Sequence, residues 1–245
     1  MNMRTKFISL SIALLLGVSV WAQDPAAVSV YDDCSKNGKT EDIRPTGEEN
    51  GHTWVNLGLP SGTKWASCNV GATTPEDYGN YYAWGETVPK DDYSWATYKY
   101  ANGDSDKLTK YCTDASYGDD GFTDDKTTLD PADDAAHVNW GGSWRMPTDA
   151  EWTELRNNCT WTWTTQNGVN GYQVSSKTNS NSIFLPAAGY RYDTYLHLAG
   201  SDGYYWSSSL GSDRPYRAWY VRFSSDYVHR YYGRRVGLSV RPVCP

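Results

Sequence analysis

The chain has 245 residues, with 22 Lys+Arg against 29 Asp+Glu and a net charge of −7. That length suits one large domain or two small ones able to bury a core. Its aromatic content, 12 Trp, 20 Tyr and 4 Phe, is foreign to disordered chains, and its acidity argues against general nucleic-acid binding, which needs a basic surface. The 22 Gly, frequent Asn, Asp, Ser and Thr, and few long aliphatic runs point to a turn-rich, mostly β fold.

The chain opens with Arg4 and Lys6, an apolar run from Ile8 to Val20, and Val20-Trp21-Ala22. Small residues at the first and last of these three positions predict a signal peptide over 1–22. The run is too short to remain as a membrane span. Cys34 follows Val30-Tyr31-Asp32-Asp33, which is no lipobox. The expected product is secreted, periplasmic or otherwise in a bacterial cell envelope, and not membrane-spanning. Residues 23–48 are polar and aperiodic and read as a tail or linker, with the folded domain over 49–245.

Cysteines stand at 34, 68, 112, 159 and 244. Export permits disulfides, and the odd number leaves one thiol over, for which Cys34 in the tail is the candidate. Cys68, Cys112, Cys159 and Cys244 are the disulfide candidates, with three connectivities open. No C-x-x-C spacing occurs, which argues against structural zinc and thioredoxin-like chemistry.

Order is expected from near His52. Residues 54–59 and 63–68 flank Pro60-Ser61-Gly62 and predict a β-hairpin. Residues 71–110, rich in Tyr, Trp and Gly, predict long loops packed by aromatic anchors. Residues 113–136 hold eight Asp: 114, 119, 120, 124, 125, 130, 133 and 134. Their spacing fits no EF-hand. They read as a solvated loop followed by a short helix with Asp130 as N-cap and Pro131 at its first position. Thr148-Asp149-Ala150-Glu151 is a capping box opening a helix that buries Trp152 and Leu155 and ends near Asn157-Asn158. Residues 161–165 and 172–176, joined across Asn167-Gly168 and Asn170-Gly171, predict a hairpin, and 182–186 a further strand. Three more strands are expected at 204–208, 218–223 and 238–243. In the middle one, alternation places Trp219, Val221 and Phe223 inward and Tyr220 and Arg222 outward.

Several segments together resemble the Fibrobacter succinogenes major paralogous domain family. They are Trp144-Arg145-Met146-Pro147-Thr148-Asp149-Ala150-Glu151-Trp152, Tyr205-Trp206-Ser207-Ser208-Ser209 and Gly237-Leu238-Ser239-Val240-Arg241-Pro242-Val243, preceded by residues 57–66 and Tyr82-Ala83-Trp84-Gly85-Glu86-Thr87. The likeness runs over about 50–245. It implies an α+β, C-type lectin-like fold, shared with the formylglycine-generating enzyme: two short helices and a small twisted antiparallel sheet bearing long irregular loops. It also implies that Cys159, at a helix end, and Cys244, at the last strand, correspond to the long lectin bridge.

The resemblance does not bring a function with it. The calcium-binding Glu-Pro-Asn, Gln-Pro-Asp and Trp-Asn-Asp triplets of sugar-binding lectins are absent from the sequence, and the carboxyl-terminal region holds Cys244 without a second nearby cysteine. His52, His137, His197 and His229 form no close pair suited to metal. No nucleophile–base pair can be nominated, so the reading is non-enzymatic and without cofactor.

The end of the chain is compositionally distinct. Residues 23–189 hold 12 basic and 25 acidic residues, whereas 190–245 hold eight Arg, no Lys and four Asp. Half of the Tyr fall in 190–235. Tyr gives large contact area at low rotamer cost and Arg adds forked donors, the chemistry of binding loops. The expected ligand-binding residues are Tyr192, Asp193, Tyr195, His197, Tyr204, Asp213, Arg214, Tyr216, Arg217, Tyr220, Arg222, Ser224, Asp226, Tyr227, His229, Arg230, Tyr231, Tyr232 and Arg234. The segment also resembles the variable proteins of diversity-generating retroelements, in which adenines of asparagine codons are randomised. Tyr, Asp, His, Ser, Gly and Arg are all reachable from such codons, while Lys, Glu and Gln are not. The expected function is a secreted binding module whose partner is a protein or glycan on another cell or surface. A structural or adhesive envelope protein and a degenerate formylglycine-type enzyme are the alternatives.

Overall fold

A computed structural model describes residues 45–225, 228–229 and 232–245. The expected signal peptide and the tail as far as residue 44 lie outside the described residues. The tail does not extend to 48. Thr46–Glu49 forms strand β1, which pairs with β2 (His52–Val55) across an Asn50-Gly51 turn whose φ values are 47° and 78°. Positive φ at both turn positions matches the twist of a two-residue hairpin, and Asn-Gly adopts it readily. Trp54 covers Gly47 opposite, where a Cβ would collide with the indole.

The predicted hairpin across Pro60-Ser61-Gly62 is present, with β2 pairing β3 (Lys64–Ala66). From Ser67 to Asp134 the described chain holds no strand, only isolated bridges and short 3-10 turns at Trp95–Thr97, Asp119–Gly121 and Pro131–Asp133. Asp130 and Pro131 do open a helical turn, but the side-chain cap belongs to Asp134. Its carboxylate accepts from the backbone of Ala136, His137 and Met146, starting helix α1 (Ala135–Trp140).

Helix α2 (Asp149–Asn158) begins with the expected capping box. Glu151 also receives two bonds from Arg145, at 2.6 and 2.7 Å, and Trp152 and Leu155 are buried. Strands β4 (Cys159–Gln166), β5 (Val169–Ser176) and β6 (Ser182–Pro186) form a three-stranded meander. Asn167-Gly168 is its turn, while Asn170-Gly171 lies inside β5. A short hairpin follows, β7 (Tyr190–Tyr192) and β8 (Tyr195–His197). Next come β9 (Gly203–Leu210) and β10 (Arg217–Phe223), with β11 (Val228–His229) and β12 (Tyr232–Gly233) along the other edge of β10. Strand β13 (Val243–Cys244) returns to pair with β3. The predicted strand over 238–243 is thus realised mostly as isolated bridges of Leu238 and Ser239.

The architecture is α+β: several small antiparallel sheets and two short helices, with two aromatic cores. Strands β9 and β10 stand between these cores. Tyr204, Trp206, Ala218 and Tyr220 face one core, and Tyr205, Val221 and Phe223 face the other. This corrects the expected polar outer face of 218–223. Alternation holds, but both faces are covered, and Tyr220 is 5% exposed.

Cys112, Cys159 and Cys244 are buried and Cys68 is half-buried, and all four are unpaired. The two anticipated bridges are not formed. Cys159 belongs to one core and Cys244 to the other. Burial raises the Cys159 thiol to about 11 and that of Cys244 to about 12, so neither is a thiolate at neutral pH.

Arg241 is fully buried and has no carboxylate partner among the described residues, donating to Asn69 Oδ1 and to the carbonyls of Ala66, Ser67 and Phe184. Truncating it strands all four acceptors. Arg241→Ala is expected to cost about 3 kcal/mol or more, read as a lowered midpoint in urea unfolding. An unchanged midpoint would mean that these carbonyls find other donors.

Candidate functional site

The expected contact residues separate into four groups. Tyr204, Tyr220 and Arg234 are at most 5% exposed and belong to the core, which corrects their assignment to a contact face. Asp226, Tyr227, Arg230 and Tyr231 lie outside the described residues. His229 and Tyr232 supply backbone pairings to Arg222 and Ala218. The others reach the surface to differing degrees, with Tyr195, Tyr192, Asp213 and Arg214 exposed.

Arg234 and Arg235 are adjacent in sequence and have opposite roles. The Arg234 guanidinium lies 5.5 Å from the ring of Trp84 and 5.5 Å from that of Tyr98, and it donates to the carbonyls of Lys110 and Tyr111. Burial lowers its pKa from the ordinary arginine value. Behind it, Asp133 accepts from Lys110 at 2.5 Å, from Tyr111 at 2.6 Å and from Tyr100. Part of the acidic stretch therefore serves an internal purpose, while Asp114, Asp120 and Asp125 are exposed. Asp124 likewise accepts from the backbone of Tyr111 and Cys112. Among the described residues, no group of three or more His, Cys, Asp or Glu is placed to hold a metal ion.

Arg235 lies nearer the surface, with its side chain 13% exposed, and organises the groups around it. Its guanidinium stacks 4.1 Å from the Tyr192 ring and 6.0 Å from Trp95, and donates to Tyr93 O and Asp193 Oδ1 at 2.9 Å each. Trp95 meets Tyr216 edge-on at 6.5 Å. Tyr216 in turn lies between Arg214 and Arg217, at 5.9 and 5.4 Å, and beside Tyr117 at 5.3 Å. Arg214 also donates to the Tyr216 hydroxyl, and Arg217 pairs with Asp213. The result is a strip of rings flanked by guanidinium groups, which restrains each ring before any ligand arrives. A pocket of about 240 Å³ opens in it, lined by Trp95, Ser105, Tyr192, Tyr216, Gly233 and Arg235.

Of the other expected residues, Arg222 is half-buried over Tyr204 and sends two bonds to one oxygen of Asp202. His197 stacks on Tyr190 at 5.2 Å. Ser224 is half-buried and its carbonyl accepts from Tyr172. Trp95, Ser105, Tyr117 and Arg235 belong to the strip or its pocket and were not expected there. The first three come from loops about a hundred residues upstream, and nothing local marks Arg235 as half-buried and its neighbour as fully buried.

Residues 163–243 match a protein family described as a domain of unknown function (DUF8237). The matched stretch includes Tyr192, Tyr216, Gly233 and Arg235, but not Trp95. No curated protein and no solved structure matches the chain. Among the described residues, no helix is long and apolar enough to cross a membrane.

Burial pushes the Asp133 carboxyl up, but the bonds from Lys110, Tyr100 and Tyr111 outweigh burial and hold it at about 2. A depressed carboxylate stabilises the fold above its unfolded value and ceases to do so as pH falls through the folded one. Stability is therefore expected to decline between pH about 4 and about 2, and Asp133→Asn to flatten that decline. Denaturant midpoints measured across this window check it, and an equal slope in the variant would assign the acid sensitivity elsewhere.

Proposed function

We propose that the chain is a secreted, non-enzymatic binding module of C-type lectin-like fold, related to the Fibrobacter succinogenes major paralogous domain. Its carboxyl-terminal third displays a diversified contact face. The pairing of β13 with β3, the capped helix α2, and the long loops pinned by aromatic residues support that reading of the fold. The observation that carries the function is the Tyr192–Arg235–Trp95–Tyr216 strip with Arg214 and Arg217 at its end. Rigid amphipathic rings and forked donors on an acidic chain are suited to a protein or glycan on another surface. The buried thiols of Cys159 and Cys244 are poor nucleophiles, which favours binding over formylglycine-type chemistry.

The purified mature chain, screened on arrays of glycans and of cell-surface proteins, is expected to show one saturable partner. Replacing Arg214, Tyr216 and Arg217 together by Ala is expected to weaken that binding by about a hundredfold while leaving the thermal midpoint nearly unchanged. Retained affinity would remove the strip from the contact face. Diversification makes a separate prediction. The neighbouring DNA should carry a reverse transcriptase gene and a near-copy of the codons for 190–243 differing at adenines. A locus with neither would leave a fixed face.

A further inference from the structure

Exposed large apolar side chains are concentrated on one short segment. Tyr192, Tyr195, Leu196 and Leu198 are 36%, 69%, 43% and 46% exposed, and among the described residues only Val88 and Val138 join them. All four lie on the β7–β8 hairpin or immediately after it, and each exposed ring or branched chain costs free energy in water unless something covers it.

The backbone of this hairpin is also incomplete. Tyr192 pairs with Tyr195, Arg191 with Leu196 and Tyr190 with His197, around a two-residue turn. In such a ladder, alternate residues turn their N–H and C=O away from the partner strand. Arg191 does so and exchanges both bonds with Gly237, at 2.8 and 2.9 Å. Leu196 is its cross-strand mate, so its N–H and C=O point to the opposite edge. No described residue meets them there. The edge offers one pair of bonds of the kind Gly237 makes on the other side.

The two faces of the hairpin differ. Tyr190, Tyr192, Tyr195 and His197 share one face and form a ring cluster, while Arg191 and Leu196 share the other. The Arg191 guanidinium rests 5.4 Å from the Tyr81 ring, beside a pocket also lined by Asn80, Lys90 and Asp91. Lys90 is engaged with Glu86, whereas Arg191 has no carboxylate partner among the described residues.

We propose that β8 is a docking edge for an extended segment of a partner protein. The segment carries one Asp or Glu between apolar residues. The residue opposite Leu196 would exchange the two free backbone bonds, and its carboxylate would extend over Leu196 toward Arg191. Its two neighbours would fall on the other face, against Tyr195 and His197. A lipid surface fits less well, because unpaired backbone groups are costly in hydrocarbon. Self-pairing through Leu196 brings Arg191 no carboxylate. The proposal rests on the reading of the chain as a binding module and adds the partner's local sequence.

A phage-displayed library of random linear peptides, selected on the full mature protein, tests it. Enrichment of an apolar–acidic–apolar pattern is expected. Leu196→Pro removes the outward N–H while keeping the bonds of Tyr195 and His197, and is expected to weaken the selected peptide by about tenfold or more. Should that variant not fold, Tyr195→Ser with Leu196→Ser probes the same edge through its side chains, with the same loss expected. Arg191→Glu is expected to reject the acidic peptide and accept its Lys counterpart. Any of three results overturns the docking edge: peptides lacking the pattern, or none at all; equal binding by the variants; or Leu196-dependent binding to phosphatidylglycerol vesicles. A homodimer dissolved by Leu196→Pro would equally assign the edge to a second copy. If hairpin variants lose nothing while the array partner still depends on Arg214, Tyr216 and Arg217, the hairpin idea fails and the binding-module reading stands.

Discussion

The fold depends on side-chain tips that reach distant backbone carbonyls, in loops and at strands alike. With some seventy consecutive residues lacking regular strands, many backbone acceptors have no ladder to join, and burying them unpaired would be costly. Buried aromatic residues supply the missing donors. The indoles of Trp84, Trp144, Trp152 and Trp206 donate to Ser207, Glu49, Trp206 and Tyr82, and the hydroxyls of Tyr81, Tyr93, Tyr98 and Tyr205 to Ala188, Tyr81, Trp84 and Pro186. Each side chain buries a large apolar body and ends in a polar group that ties a distant stretch of backbone. Arg234 and Arg241 do the same with several donors each. This explains how a chain poor in long aliphatic runs still closes two cores.

That arrangement also governs the surface. Trp95 and Tyr216 are half-buried, and the chain beneath them is fixed. Tyr98, beside Trp95, is buried and bonded to Trp84, and Arg235 is held by Tyr93 and Asp193. The proposed contact face would rely on order already present in the scaffold, so that little freedom remained to be lost when a partner arrived.

Much of the fold was legible where a local rule sufficed. The capping box at Thr148, the Asn167-Gly168 turn and the strand at Ser182–Pro186 each announce themselves within a few residues. The face of 218–223 was not legible. A period of two tells which residues share a side, but not whether a second core lies behind the polar-looking one. Tyr220 therefore read as exposed and is buried against Tyr204 and Trp206. Likewise, Arg234 and Arg235 carry the same charge and propensity, and only the distant Trp84 and Tyr98 decide which one enters the core. The candidate site was visible as a composition bias in 190–235, but Trp95 and Tyr117 come from loops whose approach to that segment is a tertiary fact.

The pairing of β13 with β3 has a temporal consequence. Arg241 reaches the carbonyl of Ala66 across 175 positions of chain, so one sheet and the buried guanidinium that braces it are completed only after that whole intervening stretch has been made. Contacts of such separation slow folding. Under the export proposed above, that delay would keep the early segments threadable through a narrow translocation channel until the closing strand follows them across.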